Sequence, residues 1–148
     1  MFKERYILKI TDYVFQDKDG IRDKYMIVLN RDDNNVYIIH TLTTSQPNGQ
    51  NPKKLGCHTT NRISYFHFPR NIEIAENGFS FDKDTFVFFV SNIRKESLND
   101  LQKYPSANID VKGIMNKKSL KDLIDCMLNS EYITSEQADC LRLTRKTL

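Results

Sequence analysis

Residues 24–42 read KYMIVLNRDDNNVYIIHTL, and the fold class turns on this stretch. KYMIVLN and VYIIHTL are rich in β-branched and aromatic side chains without helical spacing. The RDDNN between them has the Asp and Asn content of a turn. The pattern predicts two strands, 24–30 and 36–42, joined by a tight connection at 31–35. Upstream, YILKITDYVF at 6–15 has the same character, and QDKDG at 16–20 is a polar turn ending in glycine. Strands at 6–15, 24–30 and 36–42 in succession predict an antiparallel meander.

Downstream, TTSQPNGQNPKKLGCHTTNR at 43–62 mixes prolines, glycines and asparagines, which resist regular structure and predict a long loop of functional use. Strand signals resume at 63–68, 71–75 and 85–93. The last of these, TFVFFVSNI, is apolar nearly throughout and reads as a strand buried on both faces at the centre of the sheet. Beyond Arg94 the character changes. SLNDLQKY and the 117–143 segment read as helices, the latter with Leu120, Leu123, Ile124, Met127 and Leu128 at helical spacing. Ser119 with Asp122, and Thr134 with Gln137, have the form of capping boxes for two helices joined around 129–133. The whole is expected to be mainly β with C-terminal helices: one domain over 1–148, with a barrel core to about 104 and a helical extension over 105–148.

At 39% apolar and 28% charged, the composition is that of an ordinary globular domain, and a net charge of +3 argues for no polyanion without a local concentration of cations. Cys57, Cys126 and Cys140 are an odd set without a CxxC pair. They read as reduced cytosolic thiols, the latter two as small buried apolar groups. No segment approaches the ~20 apolar residues of a membrane span, so a cytoplasmic protein without a membrane partner is expected. His40 shares the parity of Ile38 and Leu42 and reads as a hydrogen-bonded core histidine. Lys117, Lys118 and Lys121 read as a solvated helix face.

Three words of the sequence, in order, carry a family resemblance: GIRDKYMIVLNRDDNN, TTSQ, and HFPRNIEIAENGFSFDKDTFVFFVSNIRKESLNDL. Over about 6–101 the chain resembles the MazF/PemK family of toxin endoribonucleases. The resemblance implies an SH3-like small antiparallel β-barrel of the MazF/PemK/CcdB type. It places the family's catalytic arginine on Arg22 and its motif threonine on Thr44, with Gln46 also matching. Ile93 and Arg94 match the pair after the family's buried strand, and Ile72, Glu73 and Ile74, followed by Gly78 and Phe79, match the segment before it. Asp23 stands where the family has a proline, the glycine-aspartate start of the first strand is absent, and the 46–67 loop is longer.

The activity so implied is sequence-specific cleavage of single-stranded RNA without a metal or other cofactor. The ribose 2′-hydroxyl attacks the adjacent phosphate and leaves a cyclic phosphate and a 5′-hydroxyl. A guanidinium meets the growing phosphoryl charge with two parallel hydrogen bonds while a hydroxyl orients the phosphate, roles that suit Arg22 and Thr44. Arginine stays protonated and is a poor base, so the proton acceptor is sought among His58, His67, Asp19 and Asp23. Ser45, Gln46, Lys53, Lys54 and Arg62 are expected to contact RNA, the cations interleaved with Tyr65, Phe66 and Phe68 as in single-strand binding surfaces. The resemblance further implies a homodimer restrained by a cognate antitoxin. Two rival readings of the same barrel are a non-catalytic nucleic-acid-binding module, which RNA cleavage by the purified protein separates from the nuclease, and a protein-binding poison of the gyrase-inhibitor kind, which topoisomerase inhibition without RNA loss would support.

Overall fold

The computed structural model of the chain describes residues 2–14, 21–32, 34, 36–51, 54–60, 63–90 and 92–148. The predicted meander is present as β1 (Tyr6–Val14), β2 (Ile21–Asp32) and β3 (Tyr37–Leu42). These are joined at either edge by β8 (Ile109–Ile114) and β7 (Ile93–Ser97) into a five-stranded sheet of order β7-β3-β2-β1-β8, antiparallel throughout. A second antiparallel sheet holds β4 (Gly56–Thr60), β5 (Ile63–Phe68) and β6 (Thr85–Phe88) in that order.

Strand alternation sorts the apolar side chains of the larger sheet into two cores. Ile7, Ile27, Leu29 and Ile39 face Phe66, Phe68 and Val87 of the smaller sheet together with Leu120, Leu123, Ile124, Met127 and Leu141 of the C-terminal helices. Leu8, Ile10, Tyr13, Met26, Val28, Ile38 and Leu42 face the other way and are closed over by Phe2, Leu101 and Ile109. The helices are α1 (Leu98–Leu101), α2 (Lys117–Leu128) and α3 (Ser135–Lys146). The box predicted at Thr134 and Gln137 caps α3 in both directions. The one at Ser119 and Asp122 is not formed, because α2 starts earlier and Asn116 accepts from the Ser119 N–H instead.

Several expectations are corrected. Residues 71–75 form no strand: the Asn71 N–H donates to Phe81 and the Ile74 N–H to Phe79, so the segment folds onto itself, and it is tied to the chain just after β8 by the Ala75–Met115 bridge and the Asn116 N–H to Ile74 bond. The run at 85–93 is broken after Phe88, where the chain leaves one sheet and enters the other as β7. Its first half is the edge of the smaller sheet, buried by packing on both faces, and the centre of the larger sheet is β2. The predicted long loop ends in a strand, β4, and the predicted helical extension begins with one, β8. Because the chain changes sheets between β6 and β7, the described strands form two packed sheets and not one closed barrel. Among the described residues one bridge, Thr44 with Phe86, connects them.

The cysteine reading is also overturned, since Cys57 on β4 and Cys126 on α2 form a disulfide that ties the smaller sheet to the helix. Cys126 is buried as expected, whereas Cys140 is a half-buried free thiol, and burial pushes its pKa up. Among the described residues no helix is long and apolar enough to cross a membrane.

Candidate functional site

A cleft of about 350 Å³ opens where the start of β2 passes the end of β3 and the approach to β6. Arg22, Asp23, Lys24 and Tyr25 line it from β2, residues 43–46 from the segment after β3, Phe81, Asp82, Lys83 and Thr85 from the approach to β6, and Lys9 from β1. Backbone bonds fix these pieces to one another. The Thr44 N–H donates to the Phe86 carbonyl at 2.9 Å and the Phe86 N–H to the Thr44 carbonyl at 2.8 Å. The Thr43 N–H donates to the Tyr25 carbonyl at 3.2 Å, and Lys24 Nζ donates to the Thr43 carbonyl at 3.1 Å. Thr43 and Thr44 are thereby strapped between β2 and β6.

Thr44 Oγ1 accepts from the Gln46 N–H at 3.1 Å, which occupies a lone pair and leaves the hydroxyl proton available for donation into the cleft. Arg22 is exposed, and its guanidinium has no hydrogen bond or ion pair among the described residues. Its neighbour Asp23 is committed elsewhere, because Oδ1 accepts at 3.1 Å from the N–H of Asp12, a residue at φ 58° in the bulge of β1. Asp23 shares the cleft with Arg22 but serves its own hairpin through that bond. Four cations, Lys9, Arg22, Lys24 and Lys83, stand in the cleft against two carboxylates, Asp23 and Asp82, a balance that favours an anionic ligand.

Of the residues singled out in the sequence, Arg22, Asp23, Thr44, Ser45 and Gln46 meet in this cleft. His58 and His67 do not line it. Their ring nitrogens donate to the Lys54 carbonyl, from His58 Nε2 at 3.0 Å and His67 Nδ1 at 2.9 Å. The rings stack on Tyr65 and Phe86, with centroids 5.2 and 5.0 Å apart, so both histidines brace the smaller sheet. Asp84 lies 3.4 Å from His67 Nε2, and its carboxyl is held below the usual range by the Arg70 N–H and by His67. Lys54 acts here through its backbone carbonyl and does not line the cleft. Asp19, Lys53 and Arg62 lie outside the described residues. Sequence reading missed Lys9, Lys24, Asp82 and Lys83. Lys24 stands in the same word as Arg22, but no local pattern sets DKD at 82–84 beside TTSQ at 43–46, which is the work of the Thr44–Phe86 bridge.

A second charged cluster lies beyond the Asp12 bulge, beside a cleft of about 460 Å³ lined in part by Tyr13, Glu96, Asp100 and Tyr104. His40 is fully buried with Nε2 2.8 Å from Glu96 Oε1, and the Tyr13 hydroxyl donates to the same oxygen at 3.0 Å. His40 is thus the hydrogen-bonded core histidine expected from its parity. Burial pushes the Glu96 carboxyl up, but the bonds from His40 and Tyr13 outweigh it and hold the group below its ordinary value. Burial and the Glu96 charge push the Tyr13 phenol up. His40 Nδ1 and Arg94 Nε are buried without a hydrogen-bond partner among the described residues, which lowers the cluster's net contribution.

No family model, curated protein or solved structure matches the chain, so the site is read from its own residues.

Proposed function

We propose that the chain is a toxin endoribonuclease of the MazF/PemK kind, which cuts single-stranded RNA by 2′-hydroxyl attack in the cytoplasm and is restrained by a cognate antitoxin. The observation that carries the proposal is the cleft that holds Arg22 and Thr44 together, with Ser45 and Gln46 beside them and an excess of cations around them. Arg22 presents an unengaged planar fork to a phosphate, Thr44 a hydroxyl proton, and Lys9 and Lys83 the charge that draws a polyanion in. As the 2′-oxygen bonds to phosphorus, negative charge grows on the non-bridging oxygens, and donors fixed in advance stabilise that state more than the ground state. One such donor is worth roughly 10²- to 10³-fold in rate.

On this reading the two antiparallel sheets, joined at Thr44 and Phe86, are the SH3-like arrangement of the family, opened between β6 and β7. Two copies form the working particle. The Cys57–Cys126 pair is the one feature at odds with a reducing compartment.

The test is incubation of the purified protein with a long single-stranded RNA in EDTA, followed by mapping of the new ends. Discrete cuts bearing 5′-hydroxyls, absent with Arg22→Ala, are expected. Intact RNA that is still bound would favour the non-catalytic module instead.

A further inference from the structure

We infer that Asp82 accepts the 2′-hydroxyl proton, a role that rests on the nuclease reading above and names the base that Arg22 and Thr44 leave unassigned. The reaction needs an acceptor inside the cleft, and the described residues there offer few. Arg22 and the lysines are cations, and no histidine lines the cleft. Tyr25 keeps its proton, since burial and then the nearby Asp82 charge push its phenol up. Asp23 keeps Oδ2 but is anchored to its own hairpin through Oδ1, which accepts from the Asp12 N–H. Asp82 remains, a carboxylate with no hydrogen bond or ion pair among the described residues, in the cleft that also holds Arg22 and Thr44.

Its backbone is held on both sides. Phe81 is buried at 2%, packs edge-on against the Tyr25 ring at 5.1 Å, and accepts the Asn71 N–H at 2.8 Å. Thr85 is buried at 5% and opens β6. Two residues along, Asp84 is committed to the Arg70 N–H and the His67 ring. Of the two aspartates in DKD, one braces the smaller sheet and the other is free for chemistry.

The step balances as follows. The 2′-oxygen bonds to phosphorus as its proton passes to the Asp82 carboxylate. The bond from phosphorus to the 5′-oxygen breaks, and the departing 5′-oxygen takes a proton from water at the open mouth of the cleft. Asp82 returns its proton to solvent before the next turnover.

Single-turnover cleavage measured against pH, alongside binding of a 2′-O-methyl RNA, tests the assignment on wild type, Asp82→Asn and Asp82→Glu. Asp82→Asn should lower the cleavage rate by roughly 10²- to 10³-fold, within the range of general base catalysis. It should also abolish the fall of rate on the acid side of the pH profile, and leave 2′-O-methyl RNA binding within about threefold, since a neutral isostere removes the base but not the phosphate contacts. Asp82→Glu should recover part of the rate and the acid limb. A merely structural aspartate would weaken binding and scale the rate equally at every pH, which would overturn the assignment. Wild-type cleavage with Asp82→Asn cutting at the same rate and keeping the acid limb would remove Asp82 alone. RNA left whole by the wild type would remove the nuclease reading, and the assignment with it.

Discussion

Arg22 and Tyr13 are register partners across the first hairpin, yet the charged clusters they belong to are built on opposite terms. Around Tyr13, Glu96 receives hydrogen bonds from a buried phenol and a buried imidazole, and little of its capacity faces water. Around Arg22, the guanidinium is unengaged among the described residues, Thr44 keeps a proton to give, and four cations outnumber two carboxylates at the surface. Both clusters are polar and charged, and the accounting of their hydrogen bonds differs. A charge whose partners are within the fold holds the fold together, and one whose partners are missing is disposed toward a ligand.

The sharpest way to break this contrast is to exchange the effects. Arg22→Ala should cut RNA cleavage by roughly 10²- to 10³-fold while the urea midpoint stays that of the wild type. Arg22→Lys should fall between, because a point charge lacks the planar fork. A stability loss in Arg22→Ala comparable with that of the Glu96 variant would erase the distinction.

Glu96→Ala should behave in the opposite sense. It leaves His40 and Tyr13 without their shared acceptor and should cost about 3 kcal/mol in urea unfolding, the low end for a broken buried pair, with cleavage per folded molecule unchanged. The same group predicts a pH dependence. Its folded value is depressed, so its contribution is fully present above the unfolded value of about 4.3 and is lost as pH falls through the folded one. Wild-type urea midpoints should therefore drop as pH is lowered below about 4.3, and Glu96→Gln should flatten that portion of the curve.

The smallest effects belong to Lys9 and Lys83. Replacing either with alanine should weaken binding of an uncleavable single-stranded RNA only severalfold at moderate salt. Each should flatten the plot of log affinity against log salt by about 0.7 if that lysine meets one phosphate. An unchanged slope in both would confine the anion contacts to Arg22 and Lys24.

What the sequence disclosed was local. The antiparallel pairing of the strands on either side of RDDNN, the parity of His40 and the box at Thr134 and Gln137 are written in neighbouring residues, and each is found in the fold. What it hid depends on partners far along the chain. TFVFFVSNI has one apolar character but serves two sheets, and its composition cannot say where the chain crosses between them. The strand at 109–114 is paired to β1 from the far end of the molecule. At the site, Arg22 and Thr44 came from a resemblance between short words, whereas Asp82 and Lys83 join them only because Phe86 bridges Thr44. Cysteine spacing gave no signal for Cys57 and Cys126, since the pairing follows from β4 lying against α2.

That pairing gives the chain the topology of a ring with two tails. The ring closes between residues 57 and 126, at a sequence separation of 69, and carries β5 to β8, while Arg22 and Thr44 sit on the amino-terminal tail. Closing a loop of that length restricts the unfolded ensemble by about 4 kcal/mol in the chain-entropy description. It also means that the two halves of the cleft answer differently to a protease. A cut within the ring, in the 69–84 segment for example, leaves a single covalent molecule that separates only when thiol is added. A cut at 46–51 severs the tail bearing Arg22 and Thr44 outright, held afterwards only by the hydrogen bonds and packing of its sheet.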